Sequence, residues 1–336
     1  MKTILYITFS KRNVHDYYLD ASVIYRCFQP CEHWRRLGYR SYVVHYMDAV
    51  EKEIPADIVV FHRPRSCNQL TVLLERYSKN RCVADFDDSL FDASILDSHP
   101  AYLSEATSLL SLKKLTNEYF QAAKEFHTFF VSSDGIKETV ERQFSCERVF
   151  VVRNGISTFW RNLGGLKTKQ KDKRIVSYFS GTSNHTADLM AHMDSIDAAV
   201  AKWPDLEVHV YGQLKLNQPL PPNWRRREPV LFHLLPQLIH QSYLCIAPMM
   251  DTPFNRCKSA IKFLEAASFG KPLITQSMPE FQRLSNPGLL FVEKDWAPAV
   301  AQMMNIDRYT EASRSARALS EQHHVADKLA EVAKWI

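Results

Sequence analysis

Twelve short apolar runs, rich in β-branched and aromatic residues, punctuate the chain, and the stretches between them carry apolar residues at helical spacing. The first six are TILYITF (3–9), SYVVHY (41–46), DIVVFH (57–62), RCVADF (81–86), HTFFVSS (127–133) and RVFVV (148–152). Alternation of such runs with amphipathic helices predicts βαβ units and a parallel sheet buried on both faces. The pattern breaks over the polar, glycine-containing stretch 157–173. It restarts with IVSYFSG (175–181), LEVHVYG (206–212), VLFHLL (230–235), YLCIAPM (243–249), KPLITQ (271–276) and GLLFVE (288–293). Two α/β sheets joined by one polar connector account for this, and 336 residues suffice for two cores of about 150 residues each.

The 46% hydrophobic and 24% charged content is that of a soluble globular chain, and no apolar run approaches the roughly 20 residues needed to span a bilayer. The apolar start, MKTILYITFS, ends at Ser10, Lys11, Arg12 and Asn13 without a small-residue cleavage site, so it reads as a first strand and not as a signal peptide. Seven cysteines without a CxxC pair fit free thiols in a reducing, cytoplasmic setting. Cys27 and Cys31 lie at i, i+4, but no second pair completes a zinc site, so neither a structural metal nor a cofactor is expected. The net charge of +5 lies in the second half, because residues 1–155 hold 20 Lys/Arg and 20 Asp/Glu. It gathers in RNLGGLKTKQKDKR (161–174) and at Arg225, Arg226 and Arg227. Short basic segments are solvated linkers or attract anionic lipid and phosphorylated ligands. No aromatic-rich basic strand accompanies them, which argues against a nucleic-acid partner.

In open parallel sheets ligands bind beyond the carboxyl ends of the strands, so candidate residues are those that follow strands. In YFSGTSNHTADL (178–189), Gly181, Thr182 and Ser183 lead into a helix, either as an ordinary N-cap or as a phosphate cradle. FNRCKSAIKFLEAASFGKPLIT (254–275) reads as one helix ending at Gly270 before a strand. Lys258, Lys262 and Glu265 then share one flank, away from the apolar stripe of Ile261, Leu264 and Ala267. Either the flank is solvated, with an i, i+3 salt bridge from Lys262 to Glu265, or Asn255, Lys258 and Ser259 face an anion while Glu265 accepts from two ribose hydroxyls. A cation near a helix start is disfavoured by the dipole, and an anionic ligand gives it a reason to be there. In the first half, His62 and Arg63 follow one strand, and Asp85, Asp87, Asp88 and Asp92 follow another. His62 is either a packed, hydrogen-bonded histidine or a catalytic one, and the Asp-rich loop either caps backbone groups or carries chemistry.

In order and spacing, several stretches resemble a GT-B glycosyltransferase of the large retaining group often called family 4, which uses nucleotide-diphosphate sugars. They are YRCFQPCEHWRRLGY (25–39), VADFDDSLFD (83–92), FFVSSDGIKETV (129–140), VFVVRNGI (149–156), YFSGTSNH (178–185) and PFNRCKSAIKFLEAASFGKPLI (253–274). The resemblance implies two Rossmann-like domains facing each other across a cleft: an acceptor domain, 1–155, and a donor domain, 156–315. A C-terminal helix, 316–336, would return to the first domain. Glu265 would hold the donor ribose, Lys258 and Ser259 with Lys262 and Asn255 the diphosphate side, and Gly181, Thr182 and Ser183 the phosphate end. Tyr211, Gly212 and the loop from His233 to Pro236 would surround the base. His62, Asp87 and Asp88 would be catalytic, with Arg12, His15 and Arg63 toward the acceptor. DFD (85–87) also matches the DxD metal signature of GT-A transferases, but a GT-A reading leaves the Lys258 to Glu265 constellation unexplained.

Two departures bear on the chemistry. Cys257 stands where the family's helix commonly carries a second Glu against the transferred sugar, with Asp251 as a candidate substitute. Thr182, Ser183 and Asn184 stand where an Arg or Lys is common. The expected activity is sugar transfer from a nucleotide sugar to a hydroxyl of a bacterial surface glycan or lipid-linked glycan, with retention and without metal. The chain would work in the cytoplasm at the inner face of the cell membrane, touching anionic lipid or other polysaccharide-synthesis proteins. A non-catalytic GT-B scaffold of a synthase complex and a nucleotide-sugar 2-epimerase are the alternatives.

Overall fold

The computed structural model describes residues 1–163 and 174–336, so most of the basic stretch 161–174 lies outside the described residues. Strands β1 (Thr3–Thr8), β2 (Arg40–His45), β3 (Ile58–His62), β4 (Cys82–Phe86), β5 (Thr128–Val131) and β6 (Arg148–Val151) form one parallel sheet, ordered β2-β1-β3-β4-β5-β6. Strands β7 (Arg174–Phe179), β8 (Leu206–Tyr211), β9 (Trp224–Arg227), β10 (Leu244–Ala247), β11 (Leu273–Thr275) and β12 (Leu289–Phe291) form a second, ordered β12-β11-β10-β7-β8-β9. Side chains alternate across each strand, so each sheet feeds two cores. In β1, Leu5 and Ile7 join Phe61 and Phe129 on one face, while Ile4 and Tyr6 join Trp34 and Val83 on the other.

Eleven of the twelve apolar runs contain a strand; VLFHLL does not. It forms a 3₁₀ turn, Phe232–Leu234, running into the helix Leu235–Gln241, and the strand in its place is the WRRR of β9. β9 is an edge strand, with Trp224 buried and Arg225, Arg226 and Arg227 exposed. Arginines along an edge block further strand pairing, and the same charges hide the strand from an apolar-run reading. The terminal segment crosses back after the helix Ile306–Glu321, which stays with the second sheet through Ala312 and Ala316. Ile156 and Val325 exchange backbone bonds with His323 and Ile156 at 2.8 and 3.2 Å. Val325, Leu329 and Val332 then pack with Ile4 and Tyr6 of the first sheet and with Trp34 of the helix Gln29–Arg36. Gly155 is required at this crossing, because a Cβ there would lie 2.8 Å from the Val325 nitrogen.

Each sheet reverses its strand order once, between β1 and β3 in the first and between β7 and β10 in the second. Such a reversal opens a crevice beyond the carboxyl ends, because the connections on either side lead away in opposite directions.

Candidate active site between the two sheets

At the first crevice the charges are paired with one another. Arg26, 2% exposed, grips Asp85 through Nε and Nη2 at 2.9 and 2.7 Å, and its Nη1 donates to the Val152 carbonyl and Asn154 Oδ1. His62 ends β3 with Nδ1 3.0 Å from Thr8 Oγ1 and Nε2 2.9 Å from Ser22 Oγ. Ser22 Oγ donates to Asp87 Oδ2 at 2.6 Å, so it must accept from His62, which assigns the ring proton to Nε2 and leaves Nδ1 to accept from Thr8. Burial pushes His62 down to about 3, so the ring is neutral at physiological pH. The next residue, Arg63, has φ of 50°, a left-handed conformation sparsely populated by non-glycine residues. Its guanidinium reaches Asp87 at 2.5 Å and Asp88 at 3.0 Å. Burial alone would raise the Asp87 carboxyl, but Arg63, with His62 and Arg26, holds it well below the usual carboxylate range. Within the Asp-rich loop, backbone capping describes Asp92, which accepts from the Ser94 nitrogen at 3.0 Å; Asp85, Asp87 and Asp88 are ion-paired.

The second crevice is built differently, and here the sequence reading needs correction. The single helix expected over 254–270 is two: Pro253–Arg256 and Ile261–Ala267. Between them the Cys257 carbonyl accepts from the Ser133 hydroxyl of the first half at 2.6 Å, a bond that competes with helical continuation. Lys258 and Ser259 sit in this break. Lys258 Nζ reaches Asp88 Oδ1 at 2.7 Å, and Asn154 Nδ2 donates to Ser259 Oγ at 3.2 Å. Nor is Glu265 on a solvated flank. It is 8% exposed, and Tyr25 OH, from the opposite half, donates to its Oε1 at 2.5 Å. Lys262 turns from it to the Phe179 carbonyl at 2.9 Å and lies over the Tyr178 ring. Burial raises Glu265 to about 7 against the lowering influence of Tyr25 and Lys262, and burial lowers Lys262 to about 8.

The loop after β7 completes the crevice. No atom lies within 4 Å of a Cβ built on Gly181, so that side is open. Gly212, with φ of +129°, lies against Ser180, where a Cβ would meet the Ser180 carbonyl oxygen at 2.2 Å; only glycine lets β8 close on this loop. Tyr211 stacks on Phe179 at 4.8 Å. Thr182 is extended, and Ser183–His185 form a 3₁₀ turn. His185 Nδ1 lies 2.9 Å from Asp188 Oδ2, while Asp188 Oδ1 accepts from the Met250 nitrogen and Asn255 Nδ2, each at 2.9 Å.

No family model and no curated protein sequence matches the chain. Solved structures do. HepE of Anabaena, determined with UDP and glucose, aligns with a TM-score of 0.66 at 14% identity, over 100% of this chain and 99% of that one. A glycosyltransferase from Rickettsia africae ESF-5 gives 0.65 at 10% identity, over 99% and 98%. Sucrose-phosphate synthase from Thermosynechococcus elongatus gives 0.62 at 11%, over 100% and 99%. The fold is GT-B.

Within this GT-B cleft the structure gathers Gly181, Lys258, Ser259, Lys262 and Glu265 on one side and Asp87, Asp88 and Arg63 on the other, joined by the Lys258–Asp88 pair. Other candidates are placed elsewhere. Asn255 is fully buried and its Nδ2 clamps the β10 loop by donating to Asp188 and the Met250 carbonyl, while its buried Oδ1 has no hydrogen-bond partner among the described residues. Asp251 is 57% exposed in a two-bond pair with Arg256, which removes it as a stand-in for the carboxylate missing at Cys257. Arg12 and His15 are exposed on the loop after β1, Arg12 lying 3.9 Å from Asp16. His233 is exposed on the turn whose Phe232 packs edge-on against Tyr25. The sequence reading missed Tyr25, Arg26, Ser22, His185 and Asp188. Only the His–x–x–Asp spacing inside YFSGTSNHTADL carried a signal, since i, i+3 places both side chains on one face.

Proposed function

We propose that this chain transfers a sugar from a nucleotide-diphosphate donor to a hydroxyl of a bacterial surface glycan or lipid-linked glycan, with retention and without a resident metal. The observation that carries the reading is the buried Glu265 carboxyl group, kept beside Lys262 at the carboxyl-end crevice of the second sheet. A carboxylate there can accept from both ribose hydroxyls, and Lys258 and Lys262 can meet the diphosphate. Breaking the anomeric bond leaves positive charge on the sugar and negative charge on the diphosphate, which two ammonium groups in a partly dehydrated cleft stabilise. Support for nucleotide-sugar chemistry comes from HepE of Anabaena, determined with UDP-glucose, and pneumococcal GtfA, determined with UDP and GlcNAc. The metal-free reading is supported by the DFD carboxylates, each already engaged by a guanidinium, Asp85 by Arg26 and Asp87 by Arg63.

On the first-half side, Asp87 is held ionised by Arg63 and oriented through Ser22 by His62, which suits it to receive an acceptor hydroxyl; Asp88 and Arg63 flank it. Among the described residues no helix is long and apolar enough to cross a membrane, and the arginines of β9 would supply peripheral contact with anionic lipid. One feature favours a second reading, a GT-B scaffold without activity: Tyr25 and Asp88 occupy the groups that a donor would use. A weaker likeness, TM-score 0.52, to a putative UDP-N-acetylglucosamine 2-epimerase from Listeria monocytogenes keeps epimerisation in view.

Thermal-shift screening against UDP, GDP, dTDP and CMP sugars, then calorimetry of wild type and Glu265→Ala in EDTA, tests the proposal. A charge-assisted hydrogen bond is worth about 1.5–3 kcal/mol, so the variant should bind roughly tenfold to a hundredfold more weakly while remaining folded. Unchanged affinity would remove the donor-site assignment. Failure of wild type to bind any nucleotide would favour the scaffold, and sugar conversion without acceptor would favour the epimerase.

A further inference from the structure

His185 and Asp188 belong to none of the roles assigned above, yet they stand at the mouth of the donor crevice. Asp188 is 1% exposed and spends Oδ1 on the Met250 nitrogen and Asn255 Nδ2, which fixes the carboxylate across the β7–β10 reversal. Its Oδ2 faces His185 Nδ1 at 2.9 Å, so Nδ1 carries a proton and the ring orientation is set. The imidazole is 19% exposed, leaving Nε2 as its uncommitted atom among the described hydrogen bonds. Four residues earlier, Gly181 leaves open space. Lys258 and Lys262 both act on His185 electrostatically, and His99, packed on Phe254 from the first half, is the fourth cation-forming group of the cluster. The Ser104 hydroxyl of the first half donates to the Asn184 carbonyl and accepts from the Ala187 nitrogen, so the turn carrying His185 is pinned from both sides of the cleft.

We propose that His185, positioned by Asp188, is a third cationic contact to the donor diphosphate, binding it through Nε2–H as imidazolium. This rests on the donor-site reading above. Burial, together with Lys262 and Lys258, lowers His185 in the free protein, while Asp188 opposes that shift. A diphosphate placed between the three cations reverses the balance: it screens the lysines from the ring and favours the charged form. Binding therefore takes up a proton. Affinity is greatest below the free-state pKa and declines as pH rises toward the higher, bound-state value. A purely structural histidine, serving only to hold Asp188, would show neither effect.

His185→Asn separates the two, because the Asn amide keeps a donor near the Nδ1 position for Asp188 and deletes Nε2. The probe is whichever of UDP, GDP, dTDP or CDP binds wild type, with its nucleoside monophosphate as the comparison. Calorimetry in two buffers of different ionisation enthalpy reads the proton uptake. The expected result is a diphosphate affinity about tenfold or more below wild type, a monophosphate affinity changed by less than about threefold, and loss of the uptake seen in wild type. Because Glu265 and Lys262 also titrate near neutrality, the reading is the difference between wild type and variant. If wild type binds and takes up protons identically to His185→Asn, the assignment is overturned while the donor site stands. If wild type binds none of the four diphosphates, both fall together.

Discussion

The two crevices use similar residue types and treat them in opposite ways. At the end of the first sheet nearly every charge has a local partner: Arg26 with Asp85, and Arg63 with Asp87 and Asp88. At the end of the second sheet buried Glu265 and half-buried Lys262 lie near each other without that pairing, the carboxyl raised to about 7 and the ammonium lowered to about 8. A buried charge with its counter-charge in place holds a structure, whereas one left under-compensated is poised for a ligand that supplies the missing partner. On the proposed function, the first crevice is scaffold beneath its surface with Asp87 and Asp88 as its working rim, and the second is directed toward a ligand.

The strongest way to break this contrast is to remove one partner from each side and compare stability. Arg26→Met leaves Asp85 buried without its cation, and removal of one member of a buried pair typically costs 3–5 kcal/mol. Urea unfolding should show a loss of about that size, and Arg26→Met with Asp85→Leu should recover much of it. The exchange Glu265→Gln, at a carboxyl that is also buried, should not destabilise at neutral pH. Equal losses at both sites would mean that Glu265 is scaffold too.

A smaller effect sharpens the same point. The Glu265 carboxyl is raised from 4.5 to about 7 in the folded chain, so between those values the folded state binds more protons than the unfolded state. Its contribution is therefore fully present below pH 4.5 and is lost as pH rises to about 7, a decline of about 3 kcal/mol as an order of magnitude. Glu265→Gln, which cannot titrate, should flatten that part of the stability–pH profile and exceed wild type at pH 8. A gain in stability with a loss of nucleotide affinity is the trade expected of a site held in readiness for a ligand.

The same contrast explains what could be read beforehand. Strand positions and the two-sheet plan were legible because buried parallel strands are apolar on both faces, and eleven of twelve runs carried that mark. β9 was hidden because its apolar contribution is one residue, Trp224, beside three edge arginines. Lys258 and Glu265 were singled out in the sequence, but not their setting. The helix break at Cys257 to Ala260 depends on Ser133, more than a hundred residues away, and the burial of Glu265 depends on Tyr25. Periodicity reports which residues share a face of one segment; it carries nothing about which distant side chain will compete for a backbone carbonyl. His62 was left between two readings for the same reason, and its bonds to Thr8 and Ser22 make it a positioned link to Asp87.

The smallest expected effect concerns the seam where the two crevices meet. Asp88 accepts from Arg63 at 3.0 Å and from Lys258 at 2.7 Å, and both Asp88 and Lys258 are about one-fifth exposed. Solvent screening limits a pair of this kind to about 1 kcal/mol or less, so Asp88→Asn should barely change the unfolding midpoint. Its effect on ligand binding runs the other way. While Lys258 is engaged by Asp88, a diphosphate must compete with a carboxylate for the same ammonium; neutralising Asp88 removes the competitor and lets Lys258 turn to the ligand. Nucleoside diphosphate affinity should then rise about twofold to fivefold, the fold-change equivalent of 0.5–1 kcal/mol. Transfer to acceptor should fall, because Asp88 also flanks Asp87 where the acceptor hydroxyl is proposed to arrive. Affinity and turnover moving in opposite directions would place Asp88 at the boundary between donor and acceptor halves. A drop in both would make the Lys258–Asp88 pair part of the donor site itself, and the division between a paired crevice and a waiting one would have to be redrawn around it.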